Sequence, residues 1–354
     1  MMKHLLPFAV VLFACSSAPA TPTPDAGPQY AAPYTHSLLD SARITSDSSK
    51  PNFQKVTADV ELEGTSFADV KLVVDLSSTC FPFDNWTTNA PPPGQNWPAD
   101  CDAFDRNFEM SLLDPANASA PGLELIRAIT PFGGPLHLEA DVTDAFNVIK
   151  TKKRTFQVVI PTYGDGAGKV SGSNGGWNVS AHLDVTPGDM PRNVLAVIPL
   201  WYSDVKDGAV ENKAPFTLPK GTTRTLIEYR VTGHGGADGT STGCSQPADE
   251  FCSRSHAVAV DGTTLETFKP WRADCKNLCT LTPGGPFGGD YCKENPCGSP
   301  ASVRASRANW CPGSMTPPKS WEPALAEGAH DLTFTIDKIS GQWRVSATAY
   351  AYGD

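Results

Sequence analysis

The chain has 354 residues, 40% hydrophobic and 19% charged, with 32 prolines and 30 glycines. This length suggests two domains, and abundant turn formers with enough apolar residues for real cores favour short strands over long helices. A net charge of -10 without any basic run argues against a nucleic-acid partner.

Residues 1–15 open with Met-Met-Lys-His, continue with an apolar run and end at Ala14-Cys15. The run is too short to span a membrane and reads as a secretory signal. Leu12-Phe13-Ala14-Cys15 resembles a bacterial lipobox with an atypical Phe13, so Cys15 is an expected lipid site and plain export with cleavage nearby is the alternative. Residues 16–34, rich in Ser, Ala, Pro and Thr, read as a flexible tether. The expectation is an exported bacterial protein, lipid-anchored at the cell envelope or otherwise periplasmic or secreted. It would touch a membrane only through that lipid.

Strand patterns follow. Val56, Ala58, Val60 and Leu62 alternate with polar residues, as do Trp177, Val179, Ala181, Leu183 and Val185. The same alternation recurs at Thr225, Ile227, Tyr229 and Val231, at Leu332, Phe334 and Ile336, and at Trp343, Val345, Ala347 and Ala349. Period-two alternation places one face on a core and the other outward. A helical turn or two is expected only over Asp144–Lys150. The turn-rich Thr186-Pro187-Gly188-Asp189 marks a boundary. The fold class predicted is all-β: two consecutive antiparallel eight-stranded jelly-roll sandwiches, an N-terminal domain over 35–187 and a C-terminal domain over 188–354.

Cysteines and charged residues supply the candidate chemistry. A Cys80–Cys101 bridge is expected to close a Pro-rich loop, with Asp105 four residues beyond it and Arg106 placed to lower its pKa or bind a substrate oxygen. Cys244 and Cys252 bracket Asp249 and Glu250, and Arg254 and His256 follow. A carboxylate on a cysteine-closed loop has a fixed direction, which catalysis requires. Arg307 lies close to Trp310 and Cys311, where aromatic and polar groups together suit sugar binding. Apart from Cys15, nine cysteines remain, so one thiol is free or Cys15 pairs. A zinc site is the rival reading of Cys275-x3-Cys279 and Cys292-x4-Cys297, but the spacings fit poorly and an exported chain favours disulfides. The histidines show no metal-ligand spacing, and no metal or other cofactor is expected.

These motifs, in this order, resemble the peptide-N-glycosidase F family, bacterial amidases built from two jelly rolls. The segments that carry the likeness are Cys101–Arg106, Arg127–Phe132, Leu138–Asp144, Glu250–His256 and Arg307–Gly313, spread over roughly residues 50 to 350. The resemblance implies hydrolysis of the amide bond between an Asn side chain and the first N-acetylglucosamine of an N-glycan, giving Asp, ammonia and the free glycan. It places the principal catalytic carboxylate on Asp105 and a second on Glu250, and glycan-binding arginines on Arg106 and Arg307. His234 stands where the family has a tryptophan, and His234 and Trp310 join the expected substrate-binding set. Cys275 and Cys311 are further disulfide candidates, while the partners of Cys279, Cys292 and Cys297 stay open. The expected partner is an N-linked glycoprotein or glycopeptide, met by a monomer. Asp249 reverts to an ordinary surface acid.

Besides His234, the chain departs from the family at three further places. No acid stands at Pro161-Thr162-Tyr163, where the family has a further carboxylate. The loop before Glu250 is longer, and cysteine-rich sequence is added between Cys275 and Cys311. A non-catalytic carbohydrate- or protein-binding surface lipoprotein on the same scaffold is the alternative these departures leave.

Overall fold

Alternating sequence becomes alternating burial along the strand Gly176–Pro187, where Trp177, Val179, Ala181, Leu183 and Val185 are all buried. In this computed structural model, which describes residues 30–149, 153–162, 164, 170–236, 244–245 and 248–354, that strand lies in the middle of a four-stranded antiparallel sheet. Its order is Tyr34–Thr45, Gly176–Pro187, Phe67–Ser77 and Leu136–Asp141. A second sheet, Leu123–Ile129, Asn107–Leu113, Arg154–Val159 and Lys55–Val60, faces it across one hydrophobic core. The single helix of note in this half, Thr143–Ile149, is tied to the sheet by Asn147, whose side chain exchanges hydrogen bonds with the backbone of Phe67.

The C-terminal half repeats the architecture. One sheet orders Asn212–Leu218, Gly328–Ile336, His256–Val260 and Thr263–Phe268; the other orders Lys319–Trp321, Arg224–His234, Gln342–Tyr352 and Val194–Val205. Its own core includes Ile227, Tyr229, Phe334 and Trp343. The chain is thus all-β, with two eight-stranded antiparallel sandwiches in the jelly-roll arrangement. The connection between them runs through 188–193, between Pro187 and Val194. The signal segment, Cys15 and residues 16–29 of the tether lie outside the described residues, and the first strand already begins at Tyr34.

One expectation of the strand pattern does not hold. Ser346, Thr348 and Arg230 occupy positions expected to face outward, yet all three are buried. The outward face of their sheet meets the other sandwich. Across that junction Arg344 grips both oxygens of Glu109 at 2.8 Å, and Arg127 donates to the Arg344 carbonyl at 2.6 Å while binding Glu124. Ser346 bonds Glu124 as well. Buried charges are tolerated only when paired and hydrogen-bonded, and these are. The residues Ser314–Met315 then add to the N-terminal strand Leu123–Ile129, so the C-terminal half lends a short strand to its neighbour's sheet.

Four disulfides form: Cys80–Cys101, Cys244–Cys252, Cys275–Cys311 and Cys279–Cys292. Three of the four cysteines of the rival zinc spacing are therefore taken up in bridges, and among the described residues Cys297 carries the free thiol. The added cysteine-rich segment is a small brace between the sandwiches. Asn295, fully buried, accepts a hydrogen bond from the Phe132 backbone N–H and donates to the Pro312 carbonyl. Cys297 N–H donates to the Phe132 carbonyl at 3.0 Å.

Candidate active site

The Asp105 loop is clamped at both ends. Upstream, the Cys80–Cys101 bridge fixes Cys101, and Gly175 lets the backbone come so close that a Cβ there would lie 2.1 Å from the Cys101 carbonyl carbon. Downstream, Arg106 N–H donates to Thr130 Oγ1 and Thr130 N–H donates back to the Arg106 carbonyl, each at 2.8 Å. Between them Asp102, fully buried, receives Arg106 Nε at 3.0 Å and the Phe104 N–H at 3.2 Å. Asp105 is left pointing away from this knot, with 18% of its side chain exposed.

The Glu250 loop is clamped by different means. Cys244–Cys252 closes it, and a single helical turn over Asp249–Phe251 carries the acid. Asp249 is fully buried rather than an ordinary surface acid. Its carboxylate accepts hydrogen bonds from Arg254 Nε and Nη2 and from the backbone N–H groups of Ser340 and Gly341. A neighbour of the charged residue thus ties the loop to the turn at 340–341, which a reading of the segment by itself did not reveal. The Glu250 carbonyl accepts the Ala308 N–H at 2.8 Å, so the acid is also joined to the Arg307 segment.

Arg307 is where the two loops meet. Its Nη1 lies 3.1 Å from Glu250 Oε1 and its Nη2 lies 3.7 Å from Asp105 Oδ2. The guanidinium is 1% exposed, held over the rings of Phe251 and Trp310 at 4.6 and 4.5 Å, and anchored by Nη2 to the Ser302 carbonyl and hydroxyl. One carboxylate from each sandwich therefore shares a single buried cation. A cavity of about 310 Å³ opens on this group, with Phe104, Asp105, Arg106, Asn107, His234 and Glu250 among its walls.

Burial drives the electrostatics. It raises the Asp105 carboxyl above the ordinary range, against the pull of Arg307 and Arg106. It raises Glu250 too, where Arg307 opposes the shift and the Asp105 charge adds to it. Burial pushes His234 down to about 3, with Arg127 as the next cause, so its imidazole is neutral at pH 7. Among the described residues, His234 Nε2 and Asn107 Oδ1 are buried without a hydrogen-bond partner in the protein. A buried polar atom left unmatched costs about 1–3 kcal/mol, so both are ready to be matched by a polar ligand.

The expected set therefore converges: Asp105, Arg106, His234, Glu250 and Trp310 line one cavity and Arg307 stands behind it. Three members are less open than the sequence implied, the first being Arg307, expected to bind glycan but 1% exposed. Arg106 is spoken for at Nε by Asp102, and Trp310 is 2% exposed with its indole N–H on the Gly233 carbonyl. Trp310 instead backs Arg307 and stacks on the His234 ring, 5.4 Å between centroids. Asp102, Asp249 and Ser302 were not assigned roles in advance. The Asp102–Arg106 spacing within the motif was the one signal on offer for the first; Ser302 had none.

Residues 202–349 match the family model for the C-terminal domain of peptide-N-glycosidase F. That stretch of the chain thus carries a domain of the peptide-N-glycosidase F type. A solved structure of PNGF-II aligns with a TM-score of 0.66 at 19% identity, over 91% of this chain and 65% of that one, so the chain spans just under two thirds of that protein's length. PNGase F, a glycosylasparaginase from Flavobacterium meningosepticum, aligns with a TM-score of 0.64 at 15% identity, covering 91% of this chain and 96% of that one. A peptide-N(4)-(N-acetyl-β-D-glucosaminyl) asparagine amidase gives 0.68 at 17% identity over the same shares. At such identities the structural likeness establishes the fold. No curated protein sequence matches the chain. Where the family resemblance leads one to look for a further acid, Pro161 lines the cavity and Tyr163 lies outside the described residues. Among the described lining residues, Asp105 and Glu250 are the acids.

Proposed function

We propose that the protein is a peptide-N-glycosidase F-like amidase that hydrolyses the Asn–N-acetylglucosamine bond of N-glycoproteins or glycopeptides. The observation that carries this reading is the Arg307 guanidinium set between Asp105 and Glu250, one acid from each sandwich, with both acids lining one cavity. An amide is a poor electrophile, so water must lose a proton as it attacks and the nitrogen must gain one as it leaves. Asp105, the less exposed of the two acids, takes the proton from water and passes it to the departing nitrogen. Glu250 orients the substrate or a bridging water. Arg307 is a positioning residue that holds both carboxylates at a fixed separation. Asn107 Oδ1 and neutral His234 Nε2 match the amide groups that the linkage and the N-acetyl substituent present. The Asn side chain becomes Asp, and the nitrogen leaves with the sugar before release as ammonia. Four disulfides fit work outside the cytoplasm.

The test is incubation with a denatured N-glycoprotein, scored for released glycan and for Asn-to-Asp conversion by mass spectrometry. Release by the native protein and not by Asp105→Asn supports the assignment. Glycan binding without release would instead favour a carbohydrate-binding lipoprotein on the same scaffold.

A further inference from the structure

The cysteine-rich segment between Cys275 and Cys311 has no part in the chemistry above, yet it builds a second cavity. This one, about 270 Å³, is lined by Trp97 of the Pro-rich loop and by Phe287, Tyr291, Asp290, Pro296 and Ser299 of the segment. Phe287 is 61% exposed, the most exposed large hydrophobic side chain among the described residues. Its exposure is not that of a loose loop tip. The turn that carries it is closed by Gly285 N–H to the Gly289 carbonyl at 2.9 Å, the paired strands Leu281–Thr282 and Tyr291–Cys292, and the Cys279–Cys292 bridge. Glu294 accepts from both the N–H and the hydroxyl of Thr280. The ring is braced edge-on by Trp97, 5.1 Å between centroids, and Trp97 in turn by Trp86 at 5.5 Å. A rigidly presented aromatic face held in water marks a recognition surface.

The wall of this cavity is joined to the candidate active site along the chain. Pro300 forms part of its wall, and Ser302, in the same short helix Pro300–Val303, holds the Arg307 guanidinium. On the other side, the loop that carries Trp97 is closed by the bridge at Cys101, four residues before Asp105. The lining combines flat aromatic surface with a carboxylate and a hydroxyl from Asp290 and Ser299. A pyranose has the matching form: an apolar C–H face for the ring and hydroxyls at its edge for the acid. An apolar peptide side chain would leave the carboxylate without use.

We infer that this cavity is a subsite for a sugar ring of the substrate's glycan beyond the first two units at the scissile bond, supplied by the added segment. The inference rests on the amidase reading for what the substrate is, and its test reads binding rather than turnover. Asp105→Asn protein, and the same protein carrying Phe287→Ser, are titrated with a free high-mannose N-glycan, with chitobiose and with a glycan-free peptide rich in aromatic residues, following tryptophan fluorescence. The expected result is that Phe287→Ser weakens the high-mannose glycan at least tenfold and leaves chitobiose unchanged. Equal affinity of both proteins for the large glycan, or no binding of it, overturns the subsite, as does capture of the peptide in place of the glycan. A loss of chitobiose binding in parallel would show a general distortion and overturn it too. Glycan release by the native protein is scored separately, so failure of the amidase reading is seen independently.

Discussion

The loops that carry Asp105 and Glu250 solve one problem in two ways. Each fixes a cavity-lining carboxylate with a buried Asp–Arg pair close by in sequence, Asp102–Arg106 in the first and Asp249–Arg254 in the second. In the first loop the pair is internal, and outside support comes from a disulfide and from Thr130. In the second, Asp249 also takes two backbone N–H groups from the turn at 340–341, and Glu250 shares its carbonyl with the Arg307 segment. Glu250 and Arg307 thus move together, whereas Asp105 reaches Arg307 from the other sandwich. The 3.1 and 3.7 Å separations follow that difference. A pair of carboxylates split this way depends on the polar junction between the sandwiches as much as on either loop.

Substituting the acid across the junction should have the largest effect. Asp105→Asn is expected to cut the rate of glycan release about 10³-fold or more, within the range that positioned acid–base groups supply. The fold should not suffer. The folded-state pKa of Asp105 is raised, so its ionised form costs stability as pH climbs past the unfolded value, and neutralising it removes that cost at pH 7. Thermal unfolding at neutral pH should show an equal or higher midpoint; a fall of several degrees would mean that the carboxylate is structural.

Asp249→Ala should separate the two loops. It leaves Arg254 buried and unpaired, at an expected 3–5 kcal/mol in denaturant unfolding, and it lowers activity through Glu250. Asp102→Ala should cost less, because Asp102 lacks the two backbone donors from a distant turn that Asp249 satisfies. Equal losses would show that the loops are held alike.

Arg307→Gln should lower kcat/KM about 10²-fold, the scale for removal of one preorganised charged donor. Arg307 opposes the upward shift of both acids, so without it both carboxyl pKa values rise further. The acid limb of the pH–rate profile should accordingly move to higher pH, which a merely destabilised protein would not show.

The smallest effect on activity concerns pH and stability away from the cleft. Burial holds His256, inside the C-terminal core beside Tyr229 and Trp343, at about 3. Its folded pKa is below the unfolded value, so its contribution is present above about pH 6.5 and is lost as pH falls toward 3. Unfolding free energy should decline with a slope approaching about 1.4 kcal/mol per pH unit from this group, and His256→Leu should flatten that part of the curve.

The strand faces were legible because period two is local: Trp177 to Val185, and Leu332 to Ile336, are buried as their alternation required. The disulfides at Cys80–Cys101 and Cys244–Cys252 were legible for the same reason, since each closes one loop. The two acids and Arg307 were legible through ordered motifs of a known type. The outward faces at Arg230, Ser346 and Thr348 were not, because what covers them is another sandwich more than one hundred residues away in the chain, as Ser346 and Glu124 show at a separation of 222. Nor was the true place of Asp249, whose partners at 340 and 341 lie ninety-one and ninety-two residues on. Sequence by itself determined which residues could form strands, bridges and acidic loops, since those depend on neighbours. Only the tertiary structure decided that Asp105 and Glu250 share one cation and that the added segment spans both halves, since each needs surfaces that exist only after the two sandwiches have packed.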